Sequence, residues 1–305
     1  MPLQHLHRTV DEVAMWVEDR VHRPPAPFRA ATSTPLACYS PLPILPPAPD
    51  QPGRWVAASP WPGAEAPLEV HVTWPDRPPR GVAILVPPWK IARPALVGGW
   101  VALLRGAGYE VWLAVPPFHM GRAAPGARSG EGFVTPDLGR LRRAVEQQVV
   151  ELRALSALAT GRGGPPALVG LSLGALGAAL CATTRESPPS VALVAPPLDL
   201  AAVLTRTPLG RRYRRLAEAA GEPLPEAAAL RGQLAPFDPG ARPPVARRVF
   251  LAVGHHDGVA TRRGHLTLVH GWRAQPRCYD RGHLTLLFAC RQVRTDLASF
   301  LTAPW

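Results

Sequence analysis

Residues 167–180 read ALVGLSLGALGAAL, an apolar run of strand type that passes through Gly170-Leu171-Ser172-Leu173-Gly174 into an alanine-rich run of helical type. A serine placed where a buried strand meets a helix sits on a sharp turn. Glycines on either side of it remove the Cβ atoms that would strike the neighbouring strand and helix, and the hydroxyl is lifted to the carboxyl edge of the sheet. The helix that begins at Leu173 also points its positive end and its unpaired N–H groups at any oxyanion formed there. Ser172 is therefore a candidate nucleophile, and the turn around it implies an α/β fold.

Working outward, short β-rich runs alternate with helical stretches from residue 68 onward. Strands are expected at 68–74, 81–86, 110–115, 167–172, 191–196, 248–254 and 276–280, and helices at 93–107, 137–159, 173–186, 262–271 and 284–301. That alternation describes a mostly parallel central sheet with helices on both faces. The first two of these strands, joined by the short PDRPPR turn, are expected to form an antiparallel pair. Residues 198–242 interrupt the alternation with an Arg- and Ala-rich helical segment, punctuated by Pro208, Pro223, Pro225 and Pro236, whose position suits a lid over the strand ends.

Ahead of this domain, which spans 66–305, residues 1–65 form a different unit. An amphipathic helix is expected over 8–21, where Val10, Val13, Ala14, Trp16, Val17 and Val21 alternate with Asp11, Glu12, Glu18 and Asp19. It is expected to pack on the outside of the domain. The stretch that follows is rich in proline, from Pro24 to Pro49, and is expected to wrap the surface without a long helix or a central strand.

From about residue 68 to the C-terminus the chain resembles the α/β-hydrolase superfamily, whose members order a catalytic serine, an acid and a histidine along the sequence. The resemblance implies that Asp257, in GHHDGV after the strand at 248–254, is the acid and that His283, in RGH after the last strand, is the base. A serine hydroxyl needs such a base, and the carboxylate fixes the tautomer of the histidine and stabilises its imidazolium. Asp199 is the leading substitute for Asp257, its other role being to cap the helix ahead of Leu200. His265 repeats the GHLT context of His283 and is expected as an exposed or capping residue. His255 and His256 are expected to shape the Asp257 loop, and Asp280 to be a solvated carboxylate. For the oxyanion hole the first donor is the N–H of Leu173. The second belongs to the loop after the strand at 81–86, where Pro87 and Pro88 have no N–H, so Trp89 is the expected donor with Lys90 behind it. His119 and Arg122, in VPPFHMGR, resemble a Pro-Gly-His-Gly segment of that superfamily and are expected to build a structural turn.

Composition bounds the rest. The 305 residues are 47% hydrophobic and 18% charged, enough for a large core, with a formal net charge of +12 in which Lys90 is the single lysine. The arginines are scattered, with one short run at Arg211, Arg212, Arg214 and Arg215, and lack interleaved aromatics, so nucleic-acid binding is not expected. Cys38, Cys181, Cys278 and Cys290 show no metal or disulfide spacing and are read as reduced, mostly buried thiols. There is no metal-ligand cluster, glycine-rich phosphate loop or dinucleotide fingerprint, which implies chemistry without a cofactor. With no signal peptide and no membrane-length apolar run, a cytoplasmic protein is expected. The predicted activity is acyl transfer to water on a small-molecule acyl substrate, most simply by a carboxylesterase. A non-catalytic binding member, an acyltransferase and a peptidase are the alternatives, and oligomeric state is not readable.

Overall fold

A computed structural model describes residues 6–14, 47–135, 137–219 and 224–304. Among the described residues eight strands form one sheet: β1 (Gly53–Ala57), β2 (Leu68–Thr73), β3 (Val82–Val86), β4 (Glu110–Ala114), β5 (Ala167–Leu171), β6 (Ser190–Val194), β7 (Arg248–Gly254) and β8 (Pro276–Tyr279). They lie in the order β1-β2-β4-β3-β5-β6-β7-β8. β2 runs antiparallel to both β1 and β4, and every other pair is parallel.

An antiparallel pair thus opens the sheet as expected, but its members differ. The strand at 53–57 falls within the stretch read as a wrapping segment, and the two strands flanking PDRPPR do not pair, because β4 lies between them. The short loop crosses over β4. β3 and β4, joined through α2 (Gly98–Gly106), then sit side by side and parallel.

Central strands buried on both faces read as continuous apolar runs. In β3, Val82, Ile84 and Val86 enter one core while Ala83 and Leu85 enter the other. The first core is closed by α3 (Leu138–Thr160), α4 (Leu173–Cys181) and α8 (Arg262–Trp272). The second core is closed by α2, α9 (His283–Ala289) and α10 (Arg291–Thr302). The single helix expected over 284–301 is therefore two. Trp100 Nε1–H donates to the Leu287 carbonyl and Arg294 to that of Phe288, so the last carbonyls of α9 find partners outside the helix. Cys290 is extended at the break and turns Val293, Leu297 and Leu301 into the same core as Leu286.

The insertion between β6 and β7 is helical, as expected: α5 (Leu200–Arg206), α6 (Pro208–Ala219) and α7 (Ala227–Leu234). Cys181 and Cys290 are buried free thiols, Cys278 is exposed, and Cys38 lies outside the described residues. Among the described residues no helix is long and apolar enough to cross a membrane.

The N-terminal helix, α1, is described over residues 6–14, and the rest of the helix expected to reach residue 21 lies outside the described residues, as does the proline-rich stretch up to residue 46. Its seating departs from the expected one at two positions, while Glu12 is exposed as expected and Val10 and Ala14 are half-buried. Val13 is 51% exposed and Asp11 only 4%, because Asp11 faces the turn that carries His283.

Candidate active site

β5 ends at Leu171 and α4 begins at Leu173, leaving Ser172 alone at the turn with φ 50° and ψ −117°. A non-glycine residue at such a φ is strained, and the surroundings hold it there. The Ser172 N–H donates to the Val194 carbonyl at 2.9 Å, tying the turn to the end of β6. Gly170 and Gly174 permit the close packing: a Cβ at 170 would lie 2.5 Å from Ala175 Cα, and one at 174 would lie 2.3 Å from the Val86 carbonyl oxygen. Positive φ recurs at Lys90, Phe118 and Ala195, in the segments that follow β3, β4 and β6. Among the described non-glycine residues, most positive φ values thus fall at this edge of the sheet, with Arg273 at the end of α8 as the exception.

Three side chains from three segments meet at this edge. Ser172 Oγ lies 2.8 Å from His283 Nε2, and His283 Nδ1 lies 2.8 Å from Asp257 Oδ2. The other carboxylate oxygen of Asp257 accepts the N–H groups of Val259 at 2.8 Å and Ala260 at 2.7 Å. With Nδ1–H donating to Asp257, the lone pair of Nε2 faces the serine hydroxyl. The Asp257 side chain is 1% exposed and that of His283 is 6%. Burial pulls the His283 pKa down, but the charge and hydrogen bond of Asp257, helped by the charge of Asp11, hold it above the ordinary histidine value.

The competing residues are placed elsewhere. Asp199 caps α5, accepting the Ala202 N–H at 2.9 Å. Asp280 is exposed and meets His256 Nε2 at 2.6 Å, while the N–H groups of His255 and His256 bond to Tyr279 and Arg281 in the Asp257 loop. His265 departs from expectation: it is 6% exposed, its Nε2 finds no partner among the described residues, and burial lowers its pKa. The leucine that follows it, Leu266, takes the exposed position instead.

The loop after β3 is built by contacts that the sequence leaves unread. His119, fully buried, donates from Nδ1 to the Pro117 carbonyl at 2.8 Å and accepts the Lys90 N–H on Nε2 at 3.0 Å. Burial lowers its pKa to about 4, so it stays the neutral acceptor this bond needs. Trp89 Nε1–H donates to the Gly130 carbonyl at 2.8 Å, and the Lys90 ammonium lies 4.3 Å from the Trp89 ring centroid. The Lys90 N–H is thereby occupied, whereas no protein acceptor meets the Trp89 or Leu173 N–H among the described residues. Arg122 serves structure: it is buried and grips both carboxylate oxygens of Glu151.

Ser172 and His283 open on a cavity of about 260 Å³. Its walls are mainly apolar, with Trp89 and Ile91 from the loop after β3, Leu209 from α6, Val259, and Leu287 and Phe288 from α9. α1 supplies Asp11 and Ala14 to the same cavity. Asp11 is the site residue that sequence reading missed, since its partners lie more than 270 positions away.

No protein-family model matches the chain, and no curated protein matches it in sequence. Solved structures do match in shape. A monoacylglycerol lipase of Paleococcus ferrophilus superposes with a TM-score of 0.53 at 20% identity, over 77% of this chain and 98% of that one. An esterase of Pyrococcus furiosus gives 0.55 at 16%, over 90% and 97%, and a hyperthermophilic esterase of Pyrobaculum calidifontis gives 0.53 at 14%, over 99% and 93%. Identities this low speak for shape alone, and with the strand order and the strained serine turn they identify the architecture of this chain as the α/β-hydrolase fold.

Proposed function

We propose that the chain is a serine hydrolase of carboxylic esters, with Ser172 as nucleophile, His283 as general base and then general acid, and Asp257 as the residue that orients His283. The observation that carries this reading is the unbroken Asp257–His283–Ser172 hydrogen-bond relay at the mouth of an apolar cavity. Ser172 Oγ attacks the ester carbonyl as its proton passes to His283 Nε2. The developing oxyanion is met by the N–H groups of Leu173 and Trp89, which are held in place and need little reorganisation. His283 returns the proton to the leaving alkoxide, and water resolves the acyl-enzyme by the same route. The helices of the insertion act as a lid, with Leu209 of α6 forming part of the acyl wall. The reading places the enzyme in the cytoplasm, on a small acyl substrate and without a cofactor.

A panel of p-nitrophenyl esters of increasing acyl length tests this. The cavity lies near the lower end of the size range of small-molecule sites, so short and medium chains are expected to give the highest kcat/KM, with long chains well below them. No hydrolysis of any ester by the folded protein would sink the reading, and turnover confined to charged or very bulky substrates would contradict the assigned pocket.

The pH profile is a second test. A base must be neutral to act, and the His283 pKa is held above the ordinary histidine value of about 6.5. Activity is therefore expected to rise with pH along a limb whose midpoint lies above that value. A midpoint below 6 would show that burial outweighs the two carboxylates.

A further inference from the structure

We propose that Asp11, delivered by the N-terminal helix α1, is a positioning residue for His283: its carboxylate holds the turn that carries the imidazole and sets a second negative charge beside it, so full turnover depends on α1 in its seat. The inference rests on the hydrolase reading above. Asp11 Oδ2 accepts the His283 N–H at 2.8 Å and Oδ1 accepts the Leu284 N–H at 3.0 Å, so both carboxylate oxygens are engaged by the base and its neighbour. Four positions earlier on the helix, His7 Nδ1 lies 3.1 Å from Thr285 Oγ1, and its ring stacks on that of His256 at 6.0 Å. The turn admits this helix only because residue 282 is glycine, for a Cβ there would lie 2.8 Å from Asp11 Oδ2 and 2.9 Å from the His7 carbonyl oxygen.

A helix seated only for stability would bury its apolar residues. Here Val13 is 51% exposed and Val10 and Ala14 are only half-buried, while Asp11 is 4% and His7 5% exposed, so the most deeply buried groups of α1 are polar. A buried carboxylate is costly unless every lone pair finds a donor, and this one finds its donors on the turn of the base. Asp11 and Ala14 also wall the acyl cavity, which makes α1 part of the site itself.

The charged groups around His283 come from several elements. Asp257 bonds to its ring, Asp11 faces its backbone, and His265 of α8 lies within electrostatic reach. On the far side of Asp11, a polar recess of about 400 Å³ is bordered by Arg8, Glu12, Arg206, Arg211, His255 and His256. Of all these groups, the two that stabilise the imidazolium are Asp257 first and Asp11 second.

Asp11→Asn removes the charge at nearly constant shape and sets an amide NH₂ against one of the two N–H groups, and Asp11→Ala strips both N–H groups of their acceptors. Both are made in the full chain and compared with wild type by NMR titration of His283, identified by the loss of its signal in His283→Gln, and by kcat and KM on a short-chain ester. In Asp11→Asn the His283 midpoint is expected to fall, because the charge of Asp11 helps to hold it up. The kcat is expected to drop about tenfold with KM little changed, and in Asp11→Ala by about thirtyfold or more. A midpoint unmoved in folded Asp11→Asn overturns the proposal, whatever the change in melting temperature. Because the titration reads the histidine without turnover, a wild type that hydrolyses no ester would sink the hydrolase reading alone.

Discussion

Replacing Ser172 with alanine is expected to lower kcat on any ester by roughly 10⁴- to 10⁶-fold and to abolish labelling by a fluorophosphonate, with the fold intact. The loss is large because the three side chains act as a unit: without Oγ no acyl-enzyme forms, and what remains is binding and oxyanion stabilisation acting on water. His283→Ala should cost about as much. Asp257→Asn should lose roughly 10⁴-fold, since an amide at Oδ2 favours the wrong tautomer of His283 at a 2.8 Å contact. Asp199→Asn supplies the contrast. Asp199 caps α5, and asparagine caps almost as well, so this variant should keep its turnover and nearly all of its stability. Loss of activity in Asp199→Asn with retention in Asp257→Asn would overturn the assignment of the acid, and undiminished labelling of Ser172→Ala would remove the nucleophile.

What could be read from the sequence was local or doubly buried. The elbow is legible because its glycines act on neighbours a few positions away, and β3, β5 and β6 because a strand covered on both faces has no polar alternation to confuse it. β1 fails both conditions. It is a five-residue edge strand with no buried residue, set in a proline-rich stretch, and only its pairing with β2 makes it a strand. Pairing order was hidden for a similar reason, since nothing near PDRPPR states that β4 will insert between β2 and β3. Asp11 is the sharper case. Helical periodicity sends Asp11 outward with Glu12, and the donors that draw Asp11 inward belong to the other end of the chain. His119 was visible as a turn residue, but its use as a neutral acceptor for Lys90 depends on burial, which only the assembled loops supply.

The second large effect concerns Gly174, which packs against the loop proposed to supply the second oxyanion donor. Gly174→Ala is expected to destabilise the protein by about 3 kcal/mol or more, at the upper end of what overpacking costs, because the obstacles are backbone. A Cβ at 174 would lie 2.3 Å from the Val86 carbonyl oxygen and 2.7 Å from that of Pro87, and neither can rotate away as a side-chain tip does. β3 must then separate from the start of α4, or the Pro87-Pro88-Trp89 segment must lift. Either movement carries the Trp89 N–H away from the Leu173 N–H, and loss of one oxyanion donor costs about 10²- to 10³-fold in kcat. Thermal melts and kcat measured well below the melting temperature separate the two consequences. The melting temperature should fall by about 5 °C or more, and turnover should be depressed even where the protein is fully folded. Gly232→Ala serves as the comparison: it lies in α7 with nothing within 4 Å of the added Cβ, and should gain about 0.5–1 kcal/mol with unchanged kcat. Full turnover in folded Gly174→Ala would mean that the loop after β3 supplies no oxyanion donor, and that Leu173 works with a partner from elsewhere in the site.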